Sequence, residues 1–80
     1  MAALTKSDLR ALDPGEGAHV VSLDSTAPQQ IVRRLMVLGF VPGTYVSVVR
    51  RAPLGDPIEF ELRGGRISLR ASEARLIFIS

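Results

Sequence analysis

The chain contains no cysteine and no tryptophan, and only one histidine, one tyrosine and one lysine among its 80 residues. Each absence closes a route. Without cysteine there is no disulfide framework and no thiolate metal site, a usage that fits a reducing cytosol. The single imidazole, His19, has no ligand partners at the convergent spacing that an iron or zinc site combines. Carboxylates exist at Asp24, Asp56, Glu59, Glu61 and Glu73, but Glu59 and Glu61 alternate on the outside of a strand pattern. The expectation is no metal site and no cofactor, with His19 a surface residue. Catalysis is excluded on similar grounds. Hydroxyls occur at Ser7, Ser22, Ser25, Ser47, Ser68, Ser72 and Ser80, but only His19 offers a histidine base and no nucleophile motif surrounds any of them. Gly64-Gly65 leads into no helix bearing Lys-Ser/Thr, so it is not a phosphate cradle. The chain reads as a non-enzyme.

Long apolar runs are missing too. The longest, Leu35 to Val41, is far short of the roughly 20 residues that span a bilayer. Met1 to Lys6 lacks the apolar centre of a signal peptide. A soluble, cytoplasmic protein is expected. The net charge of +2 comes from scattered basic residues, too weak a signal to imply nucleic-acid binding by itself.

What remains is aliphatic. Hydrophobic residues make up 46% of the chain and aromatics only 5%, which predicts a core of Val, Ile and Leu. One domain is expected over residues 9–80, after a short mobile leader at 1–8. A chain this short buries only about 60% of its unfolded surface, so its stability margin is thin.

Asp13-Pro14-Gly15-Glu16-Gly17 reads as a turn and Ala18 to Leu23 as a first strand. A helix over 28–38 follows, with Ile31, Leu35 and Leu38 on one apolar stripe. Thr26 and Gln29 fit a capping box at its start, and Gly39 fits its C-terminal cap. Pro42-Gly43 predicts a type II turn, and Thr44 to Arg51 a strand with Val46 and Val48 on one face. After the loop Ala52 to Pro57 comes the clearest alternation: Ile58, Phe60 and Leu62 inward, Glu59 and Glu61 outward. Gly64-Gly65 then predicts a two-residue I′ hairpin pairing Leu62 with Ile67, Phe60 with Leu69 and Glu59 with Arg70. Ala71 to Ala74 is a short turn or single helical turn. Leu76 to Ile79 is a last strand, apolar on both faces; the leader or another molecule must cover one of them. Phe40, Phe60 and Phe78 read as core. The fold class is mainly β: a small closed or nearly closed barrel of five strands with one short helix between the first two.

Leu12-x-Pro14-Gly15-Glu16, then Arg34-Leu35-x-x-Leu38-Gly39-Phe40-x-Pro42-Gly43, resembles the FeoA-type domain. So do Val49-x-x-Ala52-Pro53-Leu54-Gly55-Asp56-Pro57-Ile58 and Ile67-Ser68-Leu69-Arg70-x-x-Glu73-Ala74. Each piece is common alone; four in order make a specific signal over Leu9 to Ile79. The resemblance implies an SH3-like barrel. It also implies a small cytosolic accessory of ferrous iron transport, held at the inner face of the membrane by its partner, the GTPase permease FeoB. The same domain type ends metal-dependent repressors related to the diphtheria toxin repressor; the stand-alone reading is preferred, and a peptide-binding adaptor, including a relative of that C-terminal domain, stays open as the alternative.

On a helical wheel Arg33, Arg34 and Val37 face outward, with Met36 at the edge. An apolar centre rimmed by arginine marks Arg33, Met36 and Val37 as candidate partner-binding residues. Arg50 and Arg51 join them as candidates. With Arg33 and Arg34 they also support the competing reading, a nucleic-acid-binding small barrel, for which Tyr45 is the one plausible exposed stacking residue. Weak self-association through the last strand is a further expectation.

Overall fold

A computed structural model describes residues 7–80. Six strands line up in the order β1-β6-β2-β3-β4-β5: β1 Ser7–Asp8, β2 Gly17–Leu23, β3 Tyr45–Arg51, β4 Ile58–Leu62, β5 Gly65–Leu69 and β6 Ile77–Ile79. All pairings are antiparallel. A 3-10 turn, Leu9–Ala11, follows β1; helix α1, Gln29–Val37, separates β2 from β3; helix α2, Ala71–Ala74, precedes β6. These are the five expected strands and the expected helix, with a two-residue strand added in front. Residues 1–6 of the anticipated leader lie outside the described residues, while Ser7 and Asp8 pair with Ile79 and Phe78.

The alternating pattern fills the barrel as it dictates. Ile58, Phe60 and Leu62 of β4 and Val46 and Val48 of β3 are buried, with Val20, Leu35, Phe40, Leu69 and Ile77. Phe40 and Phe60 meet edge to face at 6.3 Å and 84°. Phe78, expected in the core, is only half-buried, because it lies between the short β1 and the bulged stretch of β2. β2 itself pairs with β3 over Gly17 to His19 and with β6 from Val20 onward, with a bulge between Val20 and Ser22 in the second ladder, so one strand serves both halves of the barrel. The last strand thus has β2 on one edge and β1 on the other; one of its faces carries the buried Ile77 and Ile79, the other the half-buried Phe78.

Two expectations are corrected. The Thr26–Gln29 capping box does not form. Pro28 is the residue at the helix start and makes no side-chain cap bond, while Thr26 donates both its N–H and its hydroxyl to the Asp24 carboxylate at 2.9 and 2.7 Å. The charged acceptor two residues upstream outcompetes the helix. The β4–β5 hairpin turns on Arg63-Gly64 instead of Gly64-Gly65, with φ of 54° and 79°. Leu62 therefore pairs with Gly65, Phe60 with Ile67 and Ile58 with Leu69. The shift is by two residues, so every side chain keeps its face and only the partners change. Glu59 finds Arg50 in place of Arg70.

α1 ends as expected. Gly39, at φ 114°, lets the N–H groups of Gly39 and Phe40 reach the carbonyls of Met36 and Leu35, both at 3.0 Å, and swings Phe40 into the core.

A second close approach involves Gly17. A Cβ there would come within 2.2 Å of the Tyr45 hydroxyl, because the tyrosine ring lies across the glycine and meets His19 edge-on at 5.2 Å. Gly17→Ala is expected to leave the barrel folded but lift the ring from its seat. With no tryptophan present and Tyr45 the only tyrosine, near-ultraviolet spectroscopy reads this directly. A Tyr45 signal unchanged in a folded Gly17→Ala protein would contradict the packing.

Candidate functional site

Amphipathic spacing positions the outer face of α1. Leu35 is fully buried and Ile31 and Leu38 pack against the core, which turns Arg33, Met36 and Val37 to solvent. Val37 is 85% exposed and Met36 43%. These are the positions that the 100° helical step assigns to the outer face and its edge. Arg33 makes no ion pair with any described residue. Its neighbour Arg34 is tied to Glu73 of α2, which docks the helix on the barrel end. Glu73 also accepts the Arg70 N–H at 3.0 Å, and Asp56 accepts the Ala71 N–H at 2.9 Å, so two carboxylates satisfy the start of α2.

The structure divides the five candidates. Arg33, Met36 and Val37 share one exposed helix surface. Arg50 and Arg51 lie on β3, and each has work within the fold. Arg50 pairs with Glu59 across the strands at 2.8 Å. Arg51 is half-buried, and its guanidinium donates to the Arg10 and Leu12 carbonyls at 2.8 and 2.7 Å, pinning the 3-10 turn to the barrel. The basic patch imagined from Arg33, Arg34, Arg50 and Arg51 is thus largely engaged: three of the four have intramolecular partners. At the other end of that turn Asp8 holds Arg10 through paired contacts at 2.9 Å. Burial works to raise the Asp8 carboxyl, but the hydrogen bonds and charge of Arg10, with the charge of Arg75, outweigh it and hold the group below the usual carboxylate range.

The exposure of Tyr45 follows the sequence reading, while the meeting of the hairpin tip with α1 and the exposure of Leu54 were missed. The Arg63 stem and Leu62 lie against Gly39, within 3.3 and 3.1 Å of where a Cβ would sit, so the hairpin tip meets the end of α1. Beside it runs an open groove of about 830 Å³ lined by Val41, Pro42, Tyr45, Glu61, Leu62 and Arg63, among others. Tyr45 is 54% exposed along it. Leu54, at the tip of the Ala52–Pro57 loop, is almost wholly in water. A leucine between proline and glycine has no strand or helix partner to pack on, which was the available signal. His19 is exposed, and among the described residues no three His, Cys, Asp or Glu side chains converge as metal ligands. No helix of the described residues is long and apolar enough to cross a membrane.

The family model for the FeoA domain matches residues 8–80. A curated relative, the Fe(2+) transport protein A/Fe(2+) transporter FeoB fusion protein of Porphyromonas gingivalis, is 32% identical over 69 residues. The match takes in 86% of this chain but only 8% of that relative's length. Among solved structures, a FeoA-like protein from Clostridium acetobutylicum superposes with a TM-score of 0.84 at 33% identity, covering 96% of this chain and 88% of that one. Stenotrophomonas maltophilia FeoA, described as a zinc-complexed prokaryotic SH3 domain protein and candidate activating factor for ferrous iron transport, gives 0.81 at 36% identity. That match covers 92% of this chain and 89% of the other. A manganese-dependent transcriptional repressor, at 21% identity and a TM-score of 0.83, shares the fold.

Proposed function

This chain belongs to the FeoA family, and on that premise we propose that it is a cytoplasmic accessory of ferrous iron transport that binds a FeoB-like GTPase permease and modulates it by protein contact alone. One observation carries the reading: in the Porphyromonas gingivalis relative, a homologous stretch and the transporter are joined in one polypeptide. Fusion supports a working association between the two parts. Iron is then the permease's substrate, and the domain contributes a surface instead of a ligand set. This role needs no catalytic group.

The contact surface we assign is the outer face of α1. A hydrophobic centre at Val37 and Met36 beside Arg33, which has no ion pair among the described residues, gives an interface both apolar burial and a guanidinium to pack and pair. Arg50 and Arg51 contribute less, because the fold already engages them. The same engagement weakens the nucleic-acid reading.

Val37→Glu tests the assignment. Val37 touches little, so stability is expected to stay within about 0.5 kcal/mol of the parent. Co-purification with the permease is expected to fall and cellular iron uptake to drop with it. A folded Val37→Glu protein that fully complements a deletion strain would remove the α1 face from the proposal.

A further inference from the structure

The β4–β5 hairpin register determines which main-chain groups face outward at the far edge of the sheet. A two-residue turn at Arg63-Gly64 makes Leu62 and Gly65 a hydrogen-bonded pair. Alternation then assigns ladder bonds to Phe60–Ile67 and Ile58–Leu69, and turns the N–H and C=O groups of Arg66 and Ser68 away from β4. β5 is the last strand in the order, and no other described residue bonds the main chain of Arg66 or Ser68. Both residues are exposed. An edge of this kind is a template for another strand.

Charge selects the occupant. Residues 63–70 carry Arg63, Arg66 and Arg70 and no acid. None of the three makes an ion pair among the described residues. Glu61 lies cross-strand from Arg66, and the two carboxylates lining the cleft beside Ser68 are engaged, Asp56 by the Ala71 N–H and Glu73 by Arg34 and the Arg70 N–H. A second copy of the chain brings the same three arginines and is repelled. We propose that the outer edge of β5 takes an extended, carboxylate-bearing segment of a protein partner, which adds as a strand beside Arg66 and Ser68. This rests on the reading that the domain acts by protein contact, but it uses a surface separate from α1, so the two can fail independently.

The test uses the full chain, isotope-labelled, and a blocked heptapeptide of alternating glutamate and threonine; the same peptide with lysine for glutamate is the control. The glutamate peptide is expected to shift the Arg66 and Ser68 amides and slow their exchange, leaving Gly65 and Ile67, already bonded to β4, much less affected. Ser68→Pro deletes an outward N–H and no ladder bond, so it is expected to fold and to bind about tenfold more weakly. If Ser68→Pro disturbs folding, Arg66→Glu carries the comparison, with a loss of similar size expected. The proposal is overturned by no response at millimolar peptide, by an equal response to the lysine peptide, or by shifts that miss β5.

Discussion

Phe60→Ala is expected to remove about 3–5 kcal/mol of folding stability, the cost of deleting a fully buried aromatic. A small domain has only about 5–15 kcal/mol in all, so the variant is expected to be marginal or unfolded at room temperature. Phe60 is inaccessible to solvent, meets Phe40 edge to face, and lies between strands that pair it with Val48 and Ile67. No neighbouring side chain can fill the gap without leaving its own place. Chemical denaturation followed by circular dichroism measures the loss. Phe78→Ala is the internal comparison, and its cost is expected to be clearly smaller because Phe78 is only half-buried. A Phe60→Ala midpoint near the parent's would contradict the barrel core.

The second large effect separates two adjacent arginines. Arg51→Ala deletes the guanidinium that bridges the Arg10 and Leu12 carbonyls, and is expected to cost about 1.5–3 kcal/mol, the range for hydrogen bonds made by a charged group. Leu9 is fully buried just before these carbonyls, so the loss is expected to appear first as faster hydrogen exchange in the 3-10 turn. Arg51→Lys is expected to recover only part, because one compact ammonium does not reproduce a rigid fork of donors. Arg50→Ala is expected to change stability by less than about 1 kcal/mol, since its pair with Glu59 is a surface one and its side chain is 78% exposed. Equal costs at the two positions would contradict the distinction.

That distinction was not legible in the sequence, where Arg50 and Arg51 are neighbours with the same chemistry. What separates them is strand alternation plus contacts to carbonyls 41 and 39 residues away, which leave no local pattern. The helix face was legible because its geometry is local: the 100° step alone places Leu35 inside and Val37 outside. The β4 core was legible for the same reason. The hairpin register was not, because a shift of two residues conserves every inward and outward assignment. Hydrophobic pattern cannot detect such a shift. The Gly-Gly pair and the charge match of Glu59 with Arg70 favoured the wrong register, while the structure places the non-glycine Arg63 at φ 54°. Thr26 misled similarly: its spacing to Gln29 fits a cap, but Asp24, only two residues before it, holds it first.

Most of the fold therefore followed from period-two and period-3.6 patterns, and half-legible features were those decided by competition between nearby partners. The exposed face of α1 is of the first kind; the role of Arg51 is of neither, because its partners are distant in sequence.

Calorimetric titration of the purified domain into purified permease, held in lipid nanodiscs, tests the central claim most directly. Saturable binding is expected, weakened about tenfold or more by Val37→Glu and little changed by Arg50→Ala, as an apolar-centred interface requires. Absence of binding to the permease, together with RNA retained by the domain in a manner that falls steeply with salt, would contradict the account.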